Sequence, residues 1–167
     1  MIDSKEFIPY GKQSINTNDI EYVKKALESS LITQGPLTQK FEKKIAEKVN
    51  AKYGVSTNSA TSALHIACKA LDLVKGDILW TSPITFVASA NCAIYCQAKV
   101  DFVDIDPKTG LLCINKLKEK LIYSKKNNCL PKIVIPVHLA GNSCDMEEID
   151  NLSKIYNFKI IEDASHA

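Results

Sequence analysis

No two cysteines in this chain are spaced C-x-x-C, no stretch is apolar for long enough to cross a bilayer, and neither sign of charge dominates. Each absence removes a class of protein. The six cysteines, at positions 68, 92, 96, 113, 129 and 144, lie mostly in apolar or helical stretches and read as reduced thiols, not as a disulfide framework. Residues Met1 to Lys12 mix charges with isolated apolar side chains, so neither a signal-peptide core nor a membrane span is expected. A soluble, cytoplasmic protein follows from the two together. The balance of 21 basic against 19 acidic residues leaves +2. Lysines such as Lys24, Lys25, Lys43, Lys44, Lys125 and Lys126 alternate with acids or sit in loops, as solvated faces do, and no nucleic-acid partner is expected. Internal repeats and low-complexity tracts are lacking too. So are G-x-x-x-x-G-K-[ST] and G-x-G-x-x-G, which disfavours the common nucleotide-binding folds.

What is present suffices for a globular core: 167 residues, 46% of them hydrophobic and 24% charged. From Asn18 to Ser29, Ile20, Val23 and Leu27 recur at helical spacing, with Asn18 and Glu21 as a candidate capping box. The segment Thr33-Gln34-Gly35-Pro36 breaks that helix, and Thr38 is a candidate cap for a second one carrying Phe41, Ile45 and Val49. After Asn50 the pattern changes to short apolar runs alternating with segments of helical period, the signature of βαβ units. Strands are predicted at Tyr53–Thr57, Ile78–Ser82, Val100–Ile105, Ile133–Val137 and Phe158–Glu162. A helix beginning near Ala63 carries Leu64, Ala67, Cys68 and Leu71, and Asp145 with Glu148 caps another before the last strand. The expected organisation is an N-terminal helical segment, 1–50, followed by an α/β unit, 51–167, with a mostly parallel sheet flanked by helices.

In open parallel sheets ligands bind beyond the carboxyl ends of the strands, so functional residues are sought there. Thr57-Asn58-Ser59-Ala60-Thr61-Ser62 leads into a helix and outlines a phosphate cradle, where free N–H groups and the helix dipole favour an anion. Ser and Thr are also ordinary helix caps, so the string alone decides nothing. Asp163 brings a carboxylate to the same edge, which calls for a cationic partner or a turn to cap. Phe86, after Ser82-Pro83-Ile84-Thr85, is either a stacking platform or core. His138, Cys144 and Asp145 lie close enough that a metal site is conceivable, but no metal is expected.

Four strings occur in order: Asn58 to His65, Ser82 to Ala88, Val137-His138-Leu139-Ala140-Gly141, and Glu162-Asp163-Ala164-Ser165-His166-Ala167. Together they resemble the DegT/DnrJ/EryC1/StrS sugar aminotransferases, above all the pseudaminic acid branch. Pro9-Tyr10-Gly11-Lys12-Gln13 and Ile32-Thr33-Gln34-Gly35-Pro36 fit that branch too. The resemblance implies a fold-type-I, aspartate-aminotransferase-like large domain using pyridoxal 5′-phosphate. Glutamate is the implied amine donor and a UDP-linked 4-keto-6-deoxy sugar the acceptor. By similarity, Ala60 and Thr61 hold the phosphate, Phe86 stacks on the ring, Asp163 pairs with the pyridine nitrogen, and His166 stands where the family bonds the ring oxygen. Tyr10, Ser30, Leu31, Ile32, Thr33 and Ala60 match nucleotide-sugar contacts. The family carries its Schiff-base lysine in a serine-rich segment after D-A-S-H-A, and no lysine here has that context. The expectation is therefore the front portion of such an enzyme, inactive alone, with a homodimer expected of the complete protein. A non-catalytic remnant, and a dehydratase with histidine in place of the lysine, stay open.

Overall fold

The computed structural model describes residues 12–167. Two compact units divide the chain, Met1–Ser56 and Thr57–Ala167.

In the first unit, helix α1 spans Thr17–Leu27 and helix α2 spans Pro36–Lys48. The cap of α1 is Asn16, not Asn18: its side chain accepts from Asn18 N and Asp19 N, while Asp19 returns a bond to Asn16 N. Helix α2 starts two residues before the predicted cap Thr38, because Pro36 takes the first helical position, where its missing N–H costs nothing. The strand predicted at Tyr53–Thr57 does not form. Tyr53 and Val55 are each 75% exposed, and among the described residues no neighbouring strand supplies a ladder. β-propensity marks a segment that fits a sheet; it cannot supply the partner.

Glu42 of α2 ties this segment down instead. Its Oε1 accepts from both the N–H and the hydroxyl of Ser56, each at 2.8 Å. Those bonds, the backbone one foremost, hold the Glu42 carboxyl below the usual range. A lowered value in the folded state means the tie stabilises above the ordinary glutamate range and is lost as pH falls through the lowered value. Glu42→Gln is accordingly expected to reduce amide-exchange protection at Ser56 near neutral pH, and the gap between variant and wild type should close as pH falls through the lowered Glu42 value.

The second unit is a four-stranded parallel sheet of order β2-β1-β3-β4, with β1 at Ile78–Thr81, β2 at Lys99–Phe102, β3 at Ile133–Ile135 and β4 at Lys159–Ile160. The four predicted strands of this region are present but shorter. Ile105, placed in a strand by sequence, makes only an isolated antiparallel bridge with Leu112. Between the strands run α3 (Ala60–Ala70), α4 (Ala88–Tyr95), α5 (Ile114–Lys126) and α6 (Met146–Tyr156). Helix α3 begins at Ala60, three residues before the predicted start, with Ser59 as its cap. Asp145 caps α6 by accepting from Glu148 N.

Helices cover both faces of the sheet. Leu79, Ile133 and Ile135 pack with Leu64 and Cys68 of α3 and with Ala88, Cys92 and Ala93 of α4. Their strand neighbours Trp80 and Val134 point the other way, onto Leu117 and Leu121 of α5 and Ile149 and Leu152 of α6. Each large side chain so buried contributes about 1.5–3 kcal/mol, against about 1 kcal/mol for a ladder hydrogen bond. The central strands β1 and β3, only four and three residues long, are therefore held chiefly by their faces. Helices α3, α4, α5 and α6 are followed by turns through Asp72, Gln97, Asn128 and Asn157, all at positive φ between 55° and 58°.

Candidate functional site

The chain leaves β1 toward β2 on one side and β3 toward β4 on the other, so the strand order reverses at the β1–β3 border. A crevice opens beyond the carboxyl ends of strands at such a reversal. Thr81, the last residue of β1, donates its hydroxyl across this border to Ile135 O at 3.0 Å. Ser82, the next residue, is buried, and its hydroxyl has no partner among the described residues.

Asp163 comes to this edge as a continuation of β4. It bridges Val137 in parallel register, donating its N–H to Pro136 O and accepting from His138 N, both at 3.0 Å. The residue is 6% exposed. Oδ2 accepts from the Ser89 hydroxyl at 2.7 Å; Oδ1 accepts from the Ser165 hydroxyl at 2.6 Å and from Ser165 N at 3.2 Å. These donors offset part of the cost of removing a carboxylate from water. None of them is a cation. Among the described residues no ion pair includes Asp163, and the chain contains no arginine. The turn-capping alternative left open by the sequence is met by Oδ1, while Oδ2 faces Ser89, a residue the sequence did not single out.

Ala60 and Thr61 open α3. Ser59 spends its side chain on Ser62 N, at 3.2 Å, and Ser62 donates to Asn58 Oδ1 at 2.8 Å. The N–H groups of Ala60 and Thr61 find no acceptor among the described residues. Caps and open donors thus coexist in one turn, and the sequence's two readings of this string are compatible. Helix α3 packs against α4 over the same sheet face.

Phe86 is 70% exposed and belongs to neither core cluster. Its carbonyl accepts from Ser89 N at 3.2 Å, at the start of α4. His166 is exposed, and its Nδ1 accepts from Ala140 N at a long 3.4 Å. Both ring nitrogens of His138 are engaged: Nδ1 accepts from Cys144 N at 3.2 Å, so Nε2 carries the hydrogen and donates to Glu162 Oε2 at 2.9 Å. Cys144, whose thiol is pushed up by burial, donates to Val137 O. His138 therefore fastens the loop that carries Asp163. Ser30, Leu31, Ile32 and Thr33 fall in the first unit, in the exposed bend between α1 and α2. Ser30 and Leu31 border a cavity of about 300 Å³ with Tyr22, Lys25 and Lys40. Tyr10 lies outside the described residues.

A family model described as the DegT/DnrJ/EryC1/StrS aminotransferase family matches residues 13–167. The chain belongs to that family. It is 41% identical over 160 residues to a Campylobacter jejuni UDP-4-amino-4,6-dideoxy-N-acetyl-beta-L-altrosamine transaminase, covering 96% of this chain and 41% of the relative. It is 39% identical to the Bacillus subtilis spore coat polysaccharide biosynthesis protein SpsC, covering 96% of this chain and 40% of that protein. Among solved structures, Helicobacter pylori PseC, an aminotransferase of pseudoaminic acid biosynthesis, superposes with a TM-score of 0.86 at 30% identity, over 95% of this chain and 42% of that one. The PLP form of the putative sugar aminotransferase Spr1654 from Streptococcus pneumoniae gives 0.83 at 26% identity, over 96% and 43%. The fold is the fold-type-I, aspartate-aminotransferase-like α/β fold. This family member spans about two-fifths of the length of the curated relatives it matches. Among the described residues no helix is long and apolar enough to cross a membrane.

Proposed function

We propose that this chain supplies the phosphate and ring-nitrogen contacts of a pyridoxal-phosphate-dependent sugar aminotransferase. The observation that carries the reading is a buried carboxylate with an open acceptor position and no cationic partner among the described residues, on the same sheet edge as two open N–H groups. A phosphorylated, protonated pyridine has the complementary groups: a dianion for a helix start and an N–H for the carboxylate. When bound, that cofactor supplies the electron sink for moving an amino group between donor and ketone. In this chain Ala60 and Thr61 donate to the phosphate, Phe86 offers its uncovered face to the ring, Asp163 accepts from the ring nitrogen, and His166 serves the ring oxygen. The relatives' names support a UDP-linked keto sugar as acceptor; the proposed acceptor is a 4-keto-6-deoxy amino sugar, with glutamate as donor. In the complete protein, Tyr10 and Ser30 through Thr33 contact that nucleotide sugar, and the enzyme is a homodimer.

A single substitution tests the phosphate assignment. Ala60→Pro removes one N–H at the first helical position, where proline is tolerated, and Ser59 before it is already extended at φ −163° and ψ 156°. Melting should hardly move. Titration with pyridoxamine 5′-phosphate should show affinity about tenfold weaker than wild type, with binding of unphosphorylated pyridoxamine unchanged. Equal loss for both ligands, or no loss for either, removes the phosphate from this turn.

A further inference from the structure

A carboxylate offers about four lone-pair positions. At Asp163 three are taken: two on Oδ1 by Ser165, and one on Oδ2 by Ser89. One position remains, on Oδ2, and its direction depends on which side of that oxygen Ser89 occupies.

Ser89 is fully buried, one residue into α4, and has a single hydroxyl proton. Two acceptors compete for it, Asp163 Oδ2 at 2.7 Å and Phe86 O at 3.2 Å. The shorter, charge-assisted bond wins. With its proton committed to Asp163, the Ser89 oxygen accepts from Thr85, whose Oγ1 lies 3.1 Å away. The backbone N–H of Ser89 holds the Phe86 carbonyl at the same time. One residue thus grips the acid proposed for the ring nitrogen and the peptide of the aromatic proposed for the ring face.

We infer that Ser89 is a positioning residue: by occupying one side of Asp163 Oδ2 and fixing the Phe86 backbone, it sets where the one remaining acceptor position of the carboxylate can meet a ring N–H. Serine at this place selects ligands with a ring N–H. This deepens the proposed cofactor reading and rests on it.

The test compares two probes on the whole chain: pyridoxamine 5′-phosphate, and its carbocyclic analogue with CH in place of the ring nitrogen. Wild type is expected to prefer the nitrogen-bearing ligand by about tenfold or more. Ser89→Ala, which keeps a helix-forming residue and the fold, should bring the two affinities within about twofold. Ser89→Thr, which restores a hydroxyl, should recover the preference. A purely structural role would move both ligands equally in Ser89→Ala and leave their ratio unchanged, which overturns the inference while the cofactor reading stands. Absence of any preference in wild type overturns the ring-nitrogen reading itself, and Ser89 with it.

Discussion

Asp163→Asn should weaken binding of pyridoxamine 5′-phosphate by about 10- to 100-fold, the span of a hydrogen bond to a charged group. The reason lies in the lone pairs. An asparagine oxygen can satisfy the Ser165 hydroxyl and N–H, but the amide nitrogen then replaces Oδ2. Ser89 turns acceptor, and the remaining position becomes a donor that meets a ring N–H with a second N–H. Ligand titrations followed by cofactor fluorescence measure this directly. The carbocyclic analogue, with no ring N–H, should bind wild type and Asp163→Asn alike. Undiminished affinity for the nitrogen-bearing ligand in the variant would remove Asp163 from the site.

The second large effect concerns the ground on which Asp163 stands. Gly141 has φ +84°, and a Cβ there would lie 2.9 Å from the backbone oxygen of His166. Gly141→Ala pays twice, once for the left-handed backbone and once for pushing apart two loops that meet through main-chain atoms. Gly76, at φ +100° with nothing within 4 Å of an added Cβ, pays only the first cost. Gly76→Ala is expected to destabilise by about 1 kcal/mol and Gly141→Ala by about 2–4 kcal/mol. Denaturant unfolding of the two variants isolates the collision as their difference. Amide exchange should show the excess loss of protection in residues 137–141 and 163–167. Equal destabilisation would mean that the two loops yield freely.

The sequence announced the parts of the fold that packing over-determines. Ile133, Val134 and Ile135 are buried on alternating faces, so the run is apolar throughout and reads as an interior strand. Tyr53–Thr57 carries the same β-branched and aromatic signal but pairs with nothing among the described residues, because propensity is local and a ladder is not. At α1 two candidate boxes overlap, Asn16 with Asp19 and Asn18 with Glu21, and the spacing rule cannot rank them. Asp163, Phe86 and the Ala60 turn were legible from their places after strands or at a helix start. Ser89 was not, since a serine amid Ala88 and Ala90 looks like filler. The available hint was Thr85 four residues earlier, a second hydroxyl at the spacing that shares a helical face.

The non-glycine residues that turn the corners after α3, α4, α5 and α6 carry a further consequence. In a parallel sheet those corners lie at the amino ends of the strands, opposite the crevice. Side chains at Asp72, Gln97, Asn128 and Asn157 occupy a backbone region where glycine rests without penalty. The molecule thus keeps its improvable bends and its candidate site on opposite rims, and robustness can be adjusted on one without trespassing on the other.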